Sequence, residues 1–270
     1  MKAIFNDELL DFKQIELGIQ DRGFCYGDGL FETMAVIKSK PRFLQRHFDR
    51  LVKGSSVLGL SLDQITMEYI QENCFKLIRE NAIEDFGKLR LTVWRKGDGL
   101  YVPAVRRVNY LLTAAPADLP ILTELTRVGF SEKLVNYPAI HTSFKTISAL
   151  KYVLAGQEKK ERGLEEIIIN DHNGFVSEAL ESNIFMKKDE VYYTPPIATG
   201  CIEGVMRNWL IDELKSRKVA VEECFITPGE LLQAESAFTT NAMGIRHILQ
   251  IQNAVLTTDR YIQELHNSIT

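Results

Sequence analysis

Residues 87–95, GKLRLTVWR, alternate apolar and polar side chains, and residues 107–115, RVNYLLTAA, do so again. A period of two fits a strand with one covered face, so these two stretches commit the chain to a sheet. Upstream, the apolar spacing turns helical from Leu44 to about Leu58. It does so again through SLDQITMEYIQENCFKLIRENAI, where Ile70, Cys74, Leu77 and Ile78 share a stripe and Ser61 to Asp63 offer N-caps. The opening KAIF-ND-ELLD reads as a hairpin, and a glycine-rich turn leads into the apolar strand MAVI.

The second half repeats the mixture. A helix is expected from about Ser148 to Arg162, ended by Gly163. EEIIIND with FVSEA, and SNIFMKK with EVYYTP, read as two β-hairpins. VMRNWLIDELKSRK is an amphipathic helix entered through Gly200 to Gly204, and TPGELLQ is a capped helix start. PADLP is bracketed by prolines, so the expected division is 1–115, a linker at 116–120 and 121–270.

The chain has 270 residues, and a net charge of −4 gives no global basic field for nucleic acid or an anionic membrane. Cys25, Cys74, Cys201 and Cys224 contain no C-x-x-C pair, so neither a zinc site nor a disulfide framework is expected. No stretch approaches the eighteen or so apolar residues of a membrane span, and MKAIFNDELLDFKQ lacks the apolar core of a secretion signal. A cytoplasmic globular protein without metal is expected.

The stretch SFKTISALKYV holds two lysines. On a helical wheel Leu150, Val153 and Leu154 share one face, and Lys151 lies opposite with Ala155, Glu158 and Arg162. Lys151 therefore reads as a solvated helix lysine. Lys145 precedes the helix and belongs to no polar face. Carbanion chemistry needs an electron sink such as pyridoxal phosphate, which in turn needs a lysine, a carboxylate for its ring nitrogen and donors for its phosphate. Lys145, Glu178, Arg50 and the amides around Gly204, Val205 and Met206 are candidates. Each also has a plain structural reading: a surface lysine, a strand-end acid, a helix ion pair, a turn.

Several long motifs, in order, carry a resemblance. They are DRGFCYGDGLFET (21–33), HFDRL (47–51), FKTISALKYVLAGQEKKERG (144–163), FVSEALESNIF (175–185), YTPP (193–196), GCIEGVMR (200–207) and AFTTNAMGI (237–245). Together they resemble the class IV, or fold-type IV, pyridoxal-phosphate enzymes. That group includes branched-chain aminotransferases, D-amino-acid aminotransferases and 4-amino-4-deoxychorismate lyases.

The resemblance implies an α/β (α+β) fold of two domains. The smaller is N-terminal and the larger C-terminal with a barrel-like sheet; the cofactor lies between them and the assembly is a homodimer. It implies Lys145 as the Schiff-base lysine and general base, and Glu178 as the partner of the pyridine nitrogen. Arg50 falls on the phosphate-binding arginine, Val205 and Met206 on phosphate-binding amides, and Thr240 on a further phosphate contact.

The departures bear on the reaction. The R-x-H motif of D-amino-acid aminotransferases is absent from WRKGDGLYVP, where Leu100 and Tyr101 stand, and their tyrosine is Phe31 here. The tyrosine that branched-chain enzymes carry five residues after the lysine is Leu150. RKGDGLY, GVMR and TNAMGI look closer to the lyases, although Ser148 stands where asparagine is common. The expected activity is thus a 4-amino-4-deoxychorismate lyase of folate biosynthesis, with Phe31, Arg95 and Lys96 as substrate contacts. A branched-chain-type aminotransferase using 2-oxoglutarate is the alternative, and a cofactor-free scaffold a more distant one.

Overall fold

The computed structural model describes residues 1–118 and 124–269. The chain forms two compact units, Met1–Leu119 with Phe144–Ala149, and Pro120–Ser143 with Leu150–Thr270. Residues 119 and 120 of the expected linker lie outside the described residues.

The first unit runs β1 (Lys2–Phe5), β2 (Glu8–Asp11), α1 (Arg22–Tyr26), β3 (Gly29–Ile37), β4 (Lys40–Pro41), α2 (Leu44–Leu58), α3 (Met67–Glu80), β5 (Phe86–Arg95) and β6 (Val108–Pro116). Its strands form one antiparallel sheet in the order β2-β1-β6-β5-β3-β4. Alternation decides which side is covered: Met34, Val36, Leu89, Leu91, Val93 and Leu112 pack with Leu51 of α2 and with Ile70, Cys74, Leu77 and Ile78 of α3. Asn6 and Asp7 both have positive φ, as a two-residue hairpin turn requires.

Two details differ from the sequence reading. The second helix starts at Met67 with Thr66 as its cap, because Ser61 and Asp63 spend their side chains on each other. The strand containing MAVI extends back to Gly29, and the turn before it holds α1, capped by Asp21.

The second unit runs β7 (Glu124–Leu125), β8 (Val128–Asn136), α4 (Leu150–Glu161), β9 (Glu166–Asp171), β10 (Val176–Ala179), β11 (Asn183–Lys188), β12 (Val191–Thr194), α5 (Val205–Ser216), β13 (Val221–Glu223), α6 (Pro228–Leu232), β14 (Ser236–Asn241), β15 (Gly244–Ile248), β16 (Gln250–Ile251), β17 (Ala254–Val255) and α7 (Arg260–Asn267). Two sheets form, β10-β9-β8-β16-β17 and β13-β12-β11-β14-β15-β7. The chain steps from one to the other between β7 and β8, between β10 and β11 and between β15 and β16. Val128, Phe130, Ile168 and Val176 of one sheet share a core with Ile184, Met186, Ala237 and Ile248 of the other. The curled pair is the barrel-like part of a mixed α/β fold.

The helix α4 corrects the wheel reading. Leu150, Val153 and Leu154 are 68%, 55% and 43% exposed, whereas Ala155 and Glu158 are buried. The buried side is chosen by polar partners. Glu158 accepts hydrogen bonds from the Ser131 hydroxyl at 2.7 Å, the Glu132 amide at 2.8 Å and the Arg162 guanidinium at 2.8 Å. A carboxylate satisfied this fully tolerates burial, and its face of the helix turns inward with it.

Candidate functional site

In the first unit, Lys145 is held by its backbone rather than by a helix. The Phe31 amide donates to the Lys145 carbonyl at 2.8 Å, and the Ile147 amide donates to the Gly29 carbonyl at 3.0 Å. Residues 144–149 thus lie along β3, although the sequence division put them in the second half. Gly29 makes this approach feasible: a Cβ there would sit 2.3 Å from the Val93 carbonyl oxygen and 2.7 Å from Ile147.

The Lys145 ammonium stands 5.2 Å from the centre of the Phe31 ring, over which the Arg90 guanidinium also lies, at 3.8 Å. Arg90 is half-buried and makes no hydrogen bond or ion pair with the described residues. Burial pushes its pKa down. An arginine so placed is short of an anion. Sequence reasoning missed Arg90 because it sought cations at the strand end; the signal lay in register, since Thr92 pairs with Phe31 and Arg90 is the next residue along that face of β5.

Arg95 corrects the sequence expectation. It is buried, and its guanidinium donates to both Asp28 oxygens and to the carbonyls of Leu58, Gly59 and Val105. All its donors are committed within the fold, so it has nothing left with which to grip a substrate. Lys96 is exposed at the strand end.

Arg50 lies buried on α2, where its Nε donates to Glu32 Oε1 at 2.8 Å and its Nη2 to Oε2 at 2.5 Å. His47 joins the same carboxylate at 2.6 Å. Burial by itself would raise the Glu32 pKa, but the Arg50 charge and the bonds from His47 and Arg50 outweigh it and bring it down to about 2.

In the second unit, Glu178 is buried on β10, just past a bulge that shifts the register between Val176 and Glu178. Such bulges re-aim side chains. Glu178 Oε1 receives Asn136 Nδ2 at 2.9 Å, the Tyr152 hydroxyl at 2.9 Å and Lys151 Nζ at 3.4 Å; Oε2 receives the Ile202 amide at 3.0 Å. Lys151 is therefore no solvated helix lysine, which is the second correction to the wheel reading.

Nearby in sequence, α5 starts at Val205 and Met206, both buried, behind Gly204, which provides no side-chain cap. The Asn183 amide donates to the Ile202 carbonyl at 2.7 Å, and its Oδ1 would lie 1.9 Å from a Cβ on Gly204. Asn183 pairs in register with Thr240, whose buried hydroxyl has no partner among the described residues. Paired residues of an antiparallel ladder point to one face. An uncapped helix start, a glycine cradle and an unpartnered hydroxyl so come together, and they fit a phosphate. A buried carboxylate fits the protonated nitrogen of a pyridine ring. The residues present thus suit pyridoxal phosphate. Among the described residues, no group of His, Cys, Asp and Glu could hold a metal, and no helix is long and apolar enough to cross a membrane.

A family model for amino-transferase class IV matches residues 29–251. The chain belongs to this family. Class IV members are pyridoxal-phosphate enzymes, and the cofactor the residues suit is the one the family uses. A D-alanine aminotransferase of Bacillus licheniformis is 27% identical over 250 residues, covering 89% of this chain and 84% of its own. A 4-amino-4-deoxychorismate lyase structure from Pseudomonas aeruginosa is similar with a TM-score of 0.85 at 26% identity, covering 98% of each chain. A branched-chain aminotransferase structure from Thermoproteus uzoniensis shares the fold with a TM-score of 0.91 at 23% identity, over 100% of this class IV chain and 93% of its own.

Proposed function

We propose that this class IV enzyme is a 4-amino-4-deoxychorismate lyase, releasing pyruvate and leaving 4-aminobenzoate for folate biosynthesis. The observation that carries the reading is the Phe31 ring beneath Arg90 and beside Lys145. A flat apolar surface with a guanidinium at its face suits a six-membered ring bearing a carboxylate better than it suits a branched aliphatic side chain. Leu150, in place of a tyrosine, supports it further.

When bound, pyridoxal phosphate supplies the electron sink for a carbanion at the amine-bearing carbon. Lys145 would hold the cofactor through its side-chain nitrogen. Its amine would take the proton from the substrate's amine-bearing ring carbon as general base. Glu178 would keep the ring nitrogen protonated, while Arg50, Thr240 and the amides of Val205 and Met206 would hold the phosphate. Arg90 replaces Arg95 and Lys96 as the substrate's carboxylate partner. The division into an N-terminal domain, a linker and a C-terminal cofactor-binding domain belongs to the same reading, as do a cytoplasmic homodimer and a small amino substrate.

Two assays test it. 4-Aminobenzoate release from 4-amino-4-deoxychorismate without an amino acceptor is expected. Glutamate formation from leucine and 2-oxoglutarate as the sole turnover would sink the lyase and leave a branched-chain-type aminotransferase. The cofactor assignment is tested separately: borohydride should bleach the holoenzyme's visible band and fix the label on Lys145.

A further inference from the structure

The second unit contains a cation that no step above uses. Lys151, on the first turn of α4, donates to Asn136 Oδ1 at 2.7 Å and to Glu178 Oε1 at 3.4 Å. Asn136 is wholly buried on β8 and turns its amide nitrogen to Glu178 Oε1 at 2.9 Å and to Ser177 Oγ at 2.8 Å. Lysine, asparagine and glutamate close a triangle. The cost is a less well covered helix: the same turn that brings Lys151 inward leaves Leu150 and Val153 exposed.

We propose that Lys151 is a positioning residue for Glu178, fixing which carboxylate oxygen faces the cofactor. This rests on Glu178 being the partner of the pyridine nitrogen. Three donors crowd Oε1, more than its two lone pairs accommodate, while Oε2 accepts only the Ile202 amide among the described residues. Oε2 is thus the oxygen left for a further donor. The remaining titratable neighbours stay neutral. Burial, then the Glu178 charge, pushes the Tyr152 phenol up, and burial chiefly pushes the Cys201 thiol up to about 12. Lys151 is the only cation donating to Glu178 among the described residues, so removing it changes the local charge by a full unit.

The experiment compares Lys151→Met, Lys151→Arg, Glu178→Gln and the Lys151→Met/Glu178→Gln double variant, each as holoenzyme and, for the last readout, as apoprotein. Three readouts are taken: pyridoxal phosphate dissociation, the pH titration of the visible band, and the melting temperature of the apoprotein. Lys151→Met should weaken cofactor binding about tenfold, ~1.4 kcal/mol at that conversion. It should also move the band's midpoint upward, because deleting a nearby cation favours a proton on the cofactor. Lys151→Arg should restore most of both, and in the Glu178→Gln background Lys151→Met should add little. Unchanged affinity and midpoint in Lys151→Met, with Glu178→Gln impaired, would overturn the role of Lys151 alone. Full additivity in the double variant would do the same, and so would a change in melting temperature only. An unimpaired Glu178→Gln would overturn the underlying reading as well.

Discussion

Arg50 and Glu32 meet as a two-point ion pair in the interior of the first unit, with His47 as the third member. The pair makes that unit acid-sensitive. The folded Glu32 pKa, about 2, lies below its ordinary value of 4.5, so its stabilisation is fully present above pH ~4.5 and is lost as pH falls toward 2. The difference amounts to about 3 kcal/mol. Burial also holds His47 below 6.5 despite Glu32, so the unfolded state takes up that proton first, and stability starts to fall below pH ~6.5. Denaturant midpoints measured from pH 8 to pH 3 should decline along this course. In Glu32→Gln the part below pH 4.5 should flatten, on a baseline lowered by about 3 kcal/mol.

Arg90 and Arg95 lie on one strand yet should respond oppositely. Arg95→Ala leaves Asp28 with Arg22 as its remaining ion-pair partner and takes a donor from the carbonyls of Leu58, Gly59 and Val105, and is expected to cost about 2 kcal/mol or more of folding stability. Arg90→Met keeps an unbranched apolar chain beside Phe31 and removes the guanidinium, which lies over that ring without a hydrogen bond or ion pair among the described residues. Its melting temperature should hold within a few degrees, while KM for a carboxylate substrate rises on the order of tenfold or more. An Arg90 variant with wild-type KM would remove this residue from the substrate site.

That contrast marks where sequence stopped being informative. Helix α2, the sheet strands β5 and β6 and both hairpins of the second half were legible, because period and turn chemistry are local. The family was legible because its motifs are long and ordered. The inward face of α4 was not, since an apolar stripe at Leu150, Val153 and Leu154 competes with acceptors on β8 and β10 that lie far away in sequence. Arg95 looked available for the same reason: its acceptors Leu58, Gly59 and Val105 are brought to it only by folding.

Thr240 offers a substitution whose two effects have opposite signs. Its hydroxyl is buried without a partner among the described residues, a cost of about 1–3 kcal/mol to the apoprotein. Thr240→Val should leave the apoprotein as stable or more so. If the hydroxyl binds phosphate, pyridoxal phosphate affinity should meanwhile drop about tenfold, the worth of one hydrogen bond to a charged group. Calorimetry with and without cofactor reads both, and undiminished affinity would take Thr240 out of the phosphate site.

Gly204 has φ −67° and ψ 136°, a conformation open to any residue, so a substitution there is opposed by space alone. Its missing Cβ would lie 1.9 Å from Asn183 Oδ1, and Asn183 is tied to the Ile202 carbonyl at 2.7 Å. Gly204→Ala must push Asn183 off that bond or tilt the start of α5, at about 1–3 kcal/mol. Either movement displaces the Val205 and Met206 amides, so cofactor dissociation should quicken as well. Gly229→Ala is the control, because its Cβ would meet nothing closer than Thr227 Oγ1 at 3.9 Å and it lies within α6. There, alanine should be neutral or stabilising by roughly half a kcal/mol. Equal behaviour of the two variants in melting temperature and cofactor release would show that the close approach of Gly204 to Asn183 is not what shapes the helix start.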